Sequence, residues 1–165
     1  MNTLKAAYDA IKTDDITTLA AILNHEPELL HATTPFGQLL HVAAGEGNEK
    51  ILDFLIGHGS ELESCGGTFG GTALNYAASK GQFGAVRFLL SRGAQMDITE
   101  PERNPLFSAV QSGNLDIARL LIEYGIDTKV AYTGESMKNM DALAFALEMG
   151  QMNIAHFLRT RLQVV

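Results

Sequence analysis

Cys65–Thr72, CGGTFGGT, sets the chain's single cysteine and four glycines directly ahead of an apolar helical pattern. Glycines before a helix can cradle a phosphate on backbone N–H groups. A phosphate loop needs G-x-x-x-x-G-K-[ST], yet no lysine precedes Thr72 and no apolar strand leads in. The stretch therefore reads as a turn whose glycines permit positive φ. The five histidines, His25, His31, His41, His58 and His156, form no H-x-x-x-H or H-E-x-x-H pair, and Cys65 stands apart from them. No metal is expected from such scattered ligands. G-x-S-x-G is absent, and Cys65 has no histidine beside it to serve as a base. Met149, Met152 and Ile154 sit at helical spacing and read as core or cap. Neither catalysis nor a cofactor is expected.

At 165 residues and 46% hydrophobic content, the chain has the size and composition of one ordinary folded domain. No apolar stretch approaches the roughly 18–20 residues that span a bilayer, and MNTLKAAYDAIKTDD lacks the basic-then-apolar pattern of a secretory leader. One cysteine cannot close an internal disulfide, and a cytoplasmic protein is the simplest expectation. Nineteen acids against twelve bases leave a formal charge of −7. That balance argues against a general nucleic-acid binder, which needs Lys and Arg to replace phosphate counterions. It fits a basic protein partner.

The elements that must position any site come from a repeat. GTALNYAASKGQFGAVRFLLSRGAQMD shares its skeleton with NPLFSAVQSGNLDIARLLIEYGID and with QLLHVAAGEGNEKILDFLIGHGSE. The glycine ending each first apolar segment is Gly47, Gly81, Gly113 or Gly150, at intervals of 34, 32 and 37, and stepping back 33 from Gly47 reaches Asp14. In one unit Thr72 is a good N-cap, Leu74, Ala77 and Ala78 follow at helical spacing, and Gly81 ends the helix. Val86, Leu89 and Leu90 then form a second helix that Gly93 stops. Helices this short are marginal alone. Alanines allow close approach and the leucines need a neighbouring unit, so the pattern predicts an all-α solenoid.

These residues resemble the ankyrin repeat, with its T-P-L-H-x-A, then G, then I-V-x-L-L closing on G-A-D. The match is carried by TALNYAASKG with AVRFLLSRGAQMD, by His41 in LLHVAAGEGNEKILDFLIGHGSEL, and by Pro105 in NPLFSAVQSGNLDIARLLIEYGID. The resemblance implies one domain of about five helix-turn-helix units with short projecting β-hairpin turns. Their expected bounds are 1–33 as an N-terminal cap, 34–66, 67–98 and 99–131 as internal units, and 132–165 as a C-terminal cap. A connection about four residues over the usual period precedes the last, at KVAYTGESMKNM. Thr-Pro becomes Gln38-Leu39 and Asp141-Ala142, while the motif's His becomes Asn75, Phe107 and Ala144. An incomplete polar network between turns is expected, and with it a chain less stable than an idealised array.

The resemblance also sorts charge by face, placing turns and first helices on the concave side. There Glu46, Glu61, Glu63, Asp97, Glu100, Glu102, Asp127, Glu135, Asp141 and Glu148 face only Lys80, Arg103, Lys129 and Lys138, a net of −6. The second helices carry Glu49, Asp53, Asp116 and Glu123 against Lys50, Arg87, Arg92, Arg119, Arg159 and Arg161, a net of +2. Phe36, Phe69, Tyr132, Met137 and Met140 add large apolar groups to the turns, Phe36 and Phe69 being 33 apart. Aromatics among carboxylates have the composition of an interface hot spot. The expected partner-binding set is Phe36, Glu46, Glu61, Glu63, Phe69, Lys80, Glu100, Glu102, Arg103, Gln111, Tyr132, Glu135 and Glu148. The resemblance thus implies a non-enzymatic protein-binding module, monomeric when free, with a basic protein as partner and neither nucleic acid nor membrane. Small bacterial proteins of this style resemble immunity proteins that neutralise basic nuclease toxins. A regulatory or assembly adaptor for a cellular protein is the alternative, and an enzyme a distant third.

Overall fold

In the computed structural model residues 3–162 are described; residues 1–2 and 163–165, the outer ends of the first and last expected units, lie outside them. The described residues form ten α-helices in five consecutive pairs. These are α1 (Thr3–Lys12) with α2 (Ile16–His25), α3 (Leu39–Glu46) with α4 (Glu49–Gly57), and α5 (Ala73–Ser79) with α6 (Phe83–Ser91). The remaining pairs are α7 (Pro105–Gln111) with α8 (Leu115–Glu123), and α9 (Ala142–Glu148) with α10 (Met152–Leu162). One 3-10 turn, Pro27–His31, follows α2.

Local chemistry sets both ends of these helices. Asp15, Asn48, Thr72, Asn114 and Asp141 each accept a backbone N–H from the first turn of the helix that follows, at 2.8–3.4 Å. Such caps satisfy donors that the helix cannot use internally. Each first helix of units two to five ends on the glycine read from the sequence, with φ of 69–77° at Gly47, Gly81, Gly113 and Gly150. The first unit has no glycine at this place. Asp14 adopts φ 57° there instead, one of few non-glycine types that tolerate the left-handed region.

The helices then stack unit on unit. First helices pack in the row α3, α5, α7, α9, and second helices in the row α4, α6, α8, α10. Ala43, Ala44, Ala77, Ala78 and Ala109 are fully buried along the first row, so the backbones approach closely. Leu52, Leu89 and Leu121 are fully buried between the two rows. Each turn projects to one side. Three of them close on a single antiparallel bridge, Thr34 to Gly37, Gly66 to Gly71 and Tyr132 to Met140, without building a strand among the described residues. No described helix is long and apolar enough to cross a membrane.

The glycines of CGGTFGGT serve this turn. Gly67 has φ 74°, and a Cβ there would stand 1.6 Å from the Tyr76 hydroxyl. A Cβ on Gly71 would stand 2.5 Å from Asn75 Oδ1.

Polar ties between units are more varied than the expected motif. His41 is fully buried. Its Nδ1 accepts the Gln38 N–H at 3.1 Å, which leaves Nε2–H to be shared by the carbonyls of Ser64 (3.0 Å) and Gly71 (3.1 Å). One unit on, Asn75 Nδ2 donates to Ser108 Oγ at 2.8 Å. Further on, the Tyr132 hydroxyl donates to the Ile98 carbonyl at 2.7 Å and receives Asn104 Nδ2 at 3.0 Å. Gln82 and Asn114 add side-chain bonds back to the carbonyls of Gly45 and Gly81. The histidine ladder is present once, and other side chains replace it elsewhere.

Two outcomes test this packing. Leu89→Ala and Leu121→Ala should each cost about 2–5 kcal/mol in urea unfolding, because neither cavity can collapse in a stack; losses under about 1 kcal/mol at both would refute the register. The second concerns acid. Burial lowers the His41 pKa, outweighing the two carbonyls that favour its charged form. The unfolded chain therefore binds a proton that the folded chain resists, and stability rises with pH in that window. The contribution is complete above the ordinary histidine value of about 6.5 and is lost as pH falls below it. The urea midpoint should drop between pH 7.5 and 5.5, and the part of that drop due to His41 should vanish in His41→Asn. An unchanged slope in that variant would remove His41 as the cause.

Candidate functional site

A groove of about 550 Å³ opens on the side formed by turns and first helices. One wall comes from turn residues Thr68, Phe69, Pro101, Glu102 and Met137. The floor and opposite wall come from α5, α7 and α9 with the residues that cap them, and no second-helix residue lines it. The placement of turns and first helices on a common face thus has a geometric counterpart.

The floor is aromatic. Phe107 is buried and stacks on Phe145, with ring centroids 4.8 Å apart and planes at 14°. Tyr132 meets Phe107 edge-on at 5.1 Å from behind, and Tyr76 meets His41 in the same way at 5.2 Å. Edge-to-face and offset-stacked rings are the favoured aromatic arrangements, so these side chains hold one another in place. Asn75 and Ser108 are the buried polar pair of this floor, joined by the bond from Asn75 Nδ2 to Ser108 Oγ.

Above the floor stand Lys80, Glu102 and Gln111. All three are exposed, and among the described residues none of their side chains has a hydrogen-bond or ion-pair partner. Lys80 follows α5, Gln111 ends α7, and Glu102 comes from the turn wall. Phe69 extends the turn ridge at 70% exposure, equal to that of Phe36 one unit earlier, and Glu102 takes the next place along. Burial pushes the Tyr132 phenol above its ordinary range, and the nearby charges of Asp97, Glu100 and Glu102 push it further, against the Asn104 hydrogen bond. Carboxylates therefore gather at this turn.

Of the residues expected from the sequence, the groove brings together Phe69, Lys80, Glu102 and Gln111. Phe36 continues the same ridge outside it, while Glu46, Glu61, Glu100, Glu135 and Glu148 are exposed beyond its lining. Glu63 Oε1 accepts the Gln95 N–H at 2.9 Å, tying one turn to the next. Arg103 is half-buried, with Nη1 3.6 Å from Asp97 Oδ2 and its guanidinium against Gly70. Tyr132 is half-buried too, its hydroxyl and ring both engaged within the stack. Arg103 and Tyr132 thus make contacts within and between the turns.

Sequence reasoning passed over Tyr76, Ser108 and Phe145, although a signal existed. They stand five residues before Gly81, Gly113 and Gly150, one register position repeated along the stack. Met149, read as core or cap, lines the groove at 42% exposure, and Met152 is 63% exposed, whereas Ile154 is buried as expected. Of the serine hydroxyls at the groove, Ser79 Oγ donates to the Tyr76 carbonyl of its own helix and Ser108 Oγ accepts from Asn75 Nδ2. Among the described residues no three of His, Cys, Asp and Glu converge as a metal site.

Comparison with known proteins bears on the repeat itself. A protein of Stachybotrys chartarum named ankyrin repeat domain-containing protein SAT10 is 30% identical over 77% of this chain. Ankyrin repeat and SOCS box protein 5 of Oryctolagus cuniculus is 29% identical over 70%, and an L-asparaginase of Dirofilaria immitis is 39% identical over 61%. The chain spans only 6%, 35% and 16% of these relatives' own lengths, in that order. The sequence model of the family described as ankyrin repeats matches residues 6–100, 40–132 and 97–163. Repeat spacing, helix pairing, turn geometry and these matches converge: the chain belongs to the ankyrin-repeat family.

Proposed function

We propose that this chain is a non-enzymatic protein-binding module whose groove and turn rim receive a basic partner protein. Ankyrin repeats generally mediate protein–protein interaction, and the groove is the feature that carries the reading here. Its apolar floor lies under three side-chain heads without partners. Such heads are free to make new bonds without breaking old ones, and apolar rings supply the area that anchors an interface. Around them the turns carry unpaired carboxylates, which supports a partner of opposite charge.

A secreted toxin of basic, nucleic-acid-cleaving character is one partner of this kind, held inactive by carboxylates standing where phosphates would bind. A toxin gene directly upstream would favour that form over a cellular adaptor. Turn aromatics and α5–α9 side chains would contribute in either case.

The measurement is affinity capture followed by binding kinetics at rising salt. Glu61, Glu100, Glu102 and Glu135 are exposed, so reversing them to Lys should leave folding within about 0.5 kcal/mol. Association with the captured partner should slow by at least about tenfold, and the parent's rate should fall as salt rises. Lys50→Glu with Arg87→Glu on the second-helix side serves as control and should change little. A partner that survives the turn reversals and is lost in the control variant would overturn the reading.

A further inference from the structure

The groove's dimensions and polarity narrow what enters it. About 550 Å³ lies within the range of clefts that take small ligands, about 300–1,000 Å³, and leaves room for a few side chains, not for a broad folded face. Its apolar lining is concentrated on Phe69, Tyr76, Phe107, Phe145 and Met149. The two charges that line it stand on opposite walls, Glu102 on the turn side and Lys80 on the helix side. A ligand with one apolar group and no charge would leave both ions unanswered as their water is removed, which costs free energy. A wholly basic segment would meet Lys80 on the helix wall.

Resting on the protein-binding reading, we propose that the groove takes an extended segment of the partner in which a large apolar side chain stands beside an arginine or lysine. The apolar group enters between Phe69 and the Tyr76–Phe107–Phe145 floor, and the cation meets Glu102. Lys80 faces the segment's other edge, where a backbone carbonyl or a carboxylate answers it, and this fixes the direction in which the segment lies. The rim outside the groove, Glu100 and Glu135 among its acids, adds to the attraction for the cation and not to the register. A single-stranded nucleic acid, which would also stack on aromatic rings, meets repulsion from these carboxylates at each phosphate.

Selection of random linear peptides displayed on phage against the purified full chain tests this directly. Enriched sequences should pair an aromatic or large aliphatic residue with Arg or Lys within the next few positions. A synthetic consensus peptide, followed by fluorescence polarisation, should bind at least about tenfold more weakly to Phe69→Ala and to Glu102→Lys, a loss of about 1.4 kcal/mol. Replacing the peptide's basic residue by Glu should restore binding to Glu102→Lys alone, and Arg87→Glu should leave the peptide's affinity unchanged. Phe69 and Glu102 are exposed, so both variants should keep the parent's unfolding midpoint. Consensus peptides without a basic residue, or binding indifferent to both substitutions, would overturn the proposal. Absence of any enriched peptide would also overturn it, yet would leave a folded basic partner open to the capture experiment.

Discussion

Close approach of consecutive first helices, with Ala43–Ala44, Ala77–Ala78 and Ala109–Val110 fully buried along the row, is the contact on which the other features depend. α5, α7 and α9 each have seven residues, too few to stand alone in water. Their shape is maintained by neighbours, and the small side chains set how near those neighbours come. A larger residue in this row would move apart two units at once. The shared spacing of the turns, the line of the second helices and the depth of the groove would all change with it.

That spacing explains why the polar ties can differ from unit to unit. Once two first helices are fixed in distance, the turn between them must be held at a fixed height, and several side chains meet this need. His41 spans to two carbonyls, Asn75 reaches Ser108, and Tyr132 reaches across to Ile98. Where the motif's histidine is absent, Asn75 and Tyr132 supply ties of their own, and the accounting of buried polar groups stays nearly complete. Ser60 Oγ is the one buried side-chain polar atom without a partner among the described residues. The sequence alone predicts an incomplete polar network, because a linear pattern does not reveal which distant side chain stands in.

The helices and their stops were legible because they obey local rules. Thr72 caps α5 and Gly81 ends it for reasons contained within a few residues. Asp14 was found only by counting back one period, and it holds the same backbone turn without being glycine. The groove was legible in part. Phe69, Lys80, Glu102 and Gln111 could be assigned to one face from the register, yet Tyr76 and Phe145 were not singled out and Phe107 stood only as a replacement for the motif's histidine. Whether an aromatic ring closes over a core or lies open to a groove depends on the next unit's turn, which one period of sequence does not specify. Arg103 and Tyr132 show the converse, since both belong to turns and both are drawn inward by a neighbour.

The one break in the period has a consequence for the site. The extended connection before α9 folds on itself: the Gly134 N–H donates to the Met137 carbonyl at 2.8 Å, Tyr132 pairs with Met140, and Asn139 takes φ 48°. This fold brings Met137 to the groove, where it stands with Phe69 and Glu102 on the turn wall. A connection of ordinary length would have fewer residues with which to reach that far. The turn wall that begins with Phe69 and Glu102 is thereby continued by Met137. An unbranched thioether suits that place, because it adapts its shape to what it covers. The irregularity that weakens the repeat as a sequence pattern is thus the feature that brings a further apolar side chain to the groove's turn wall.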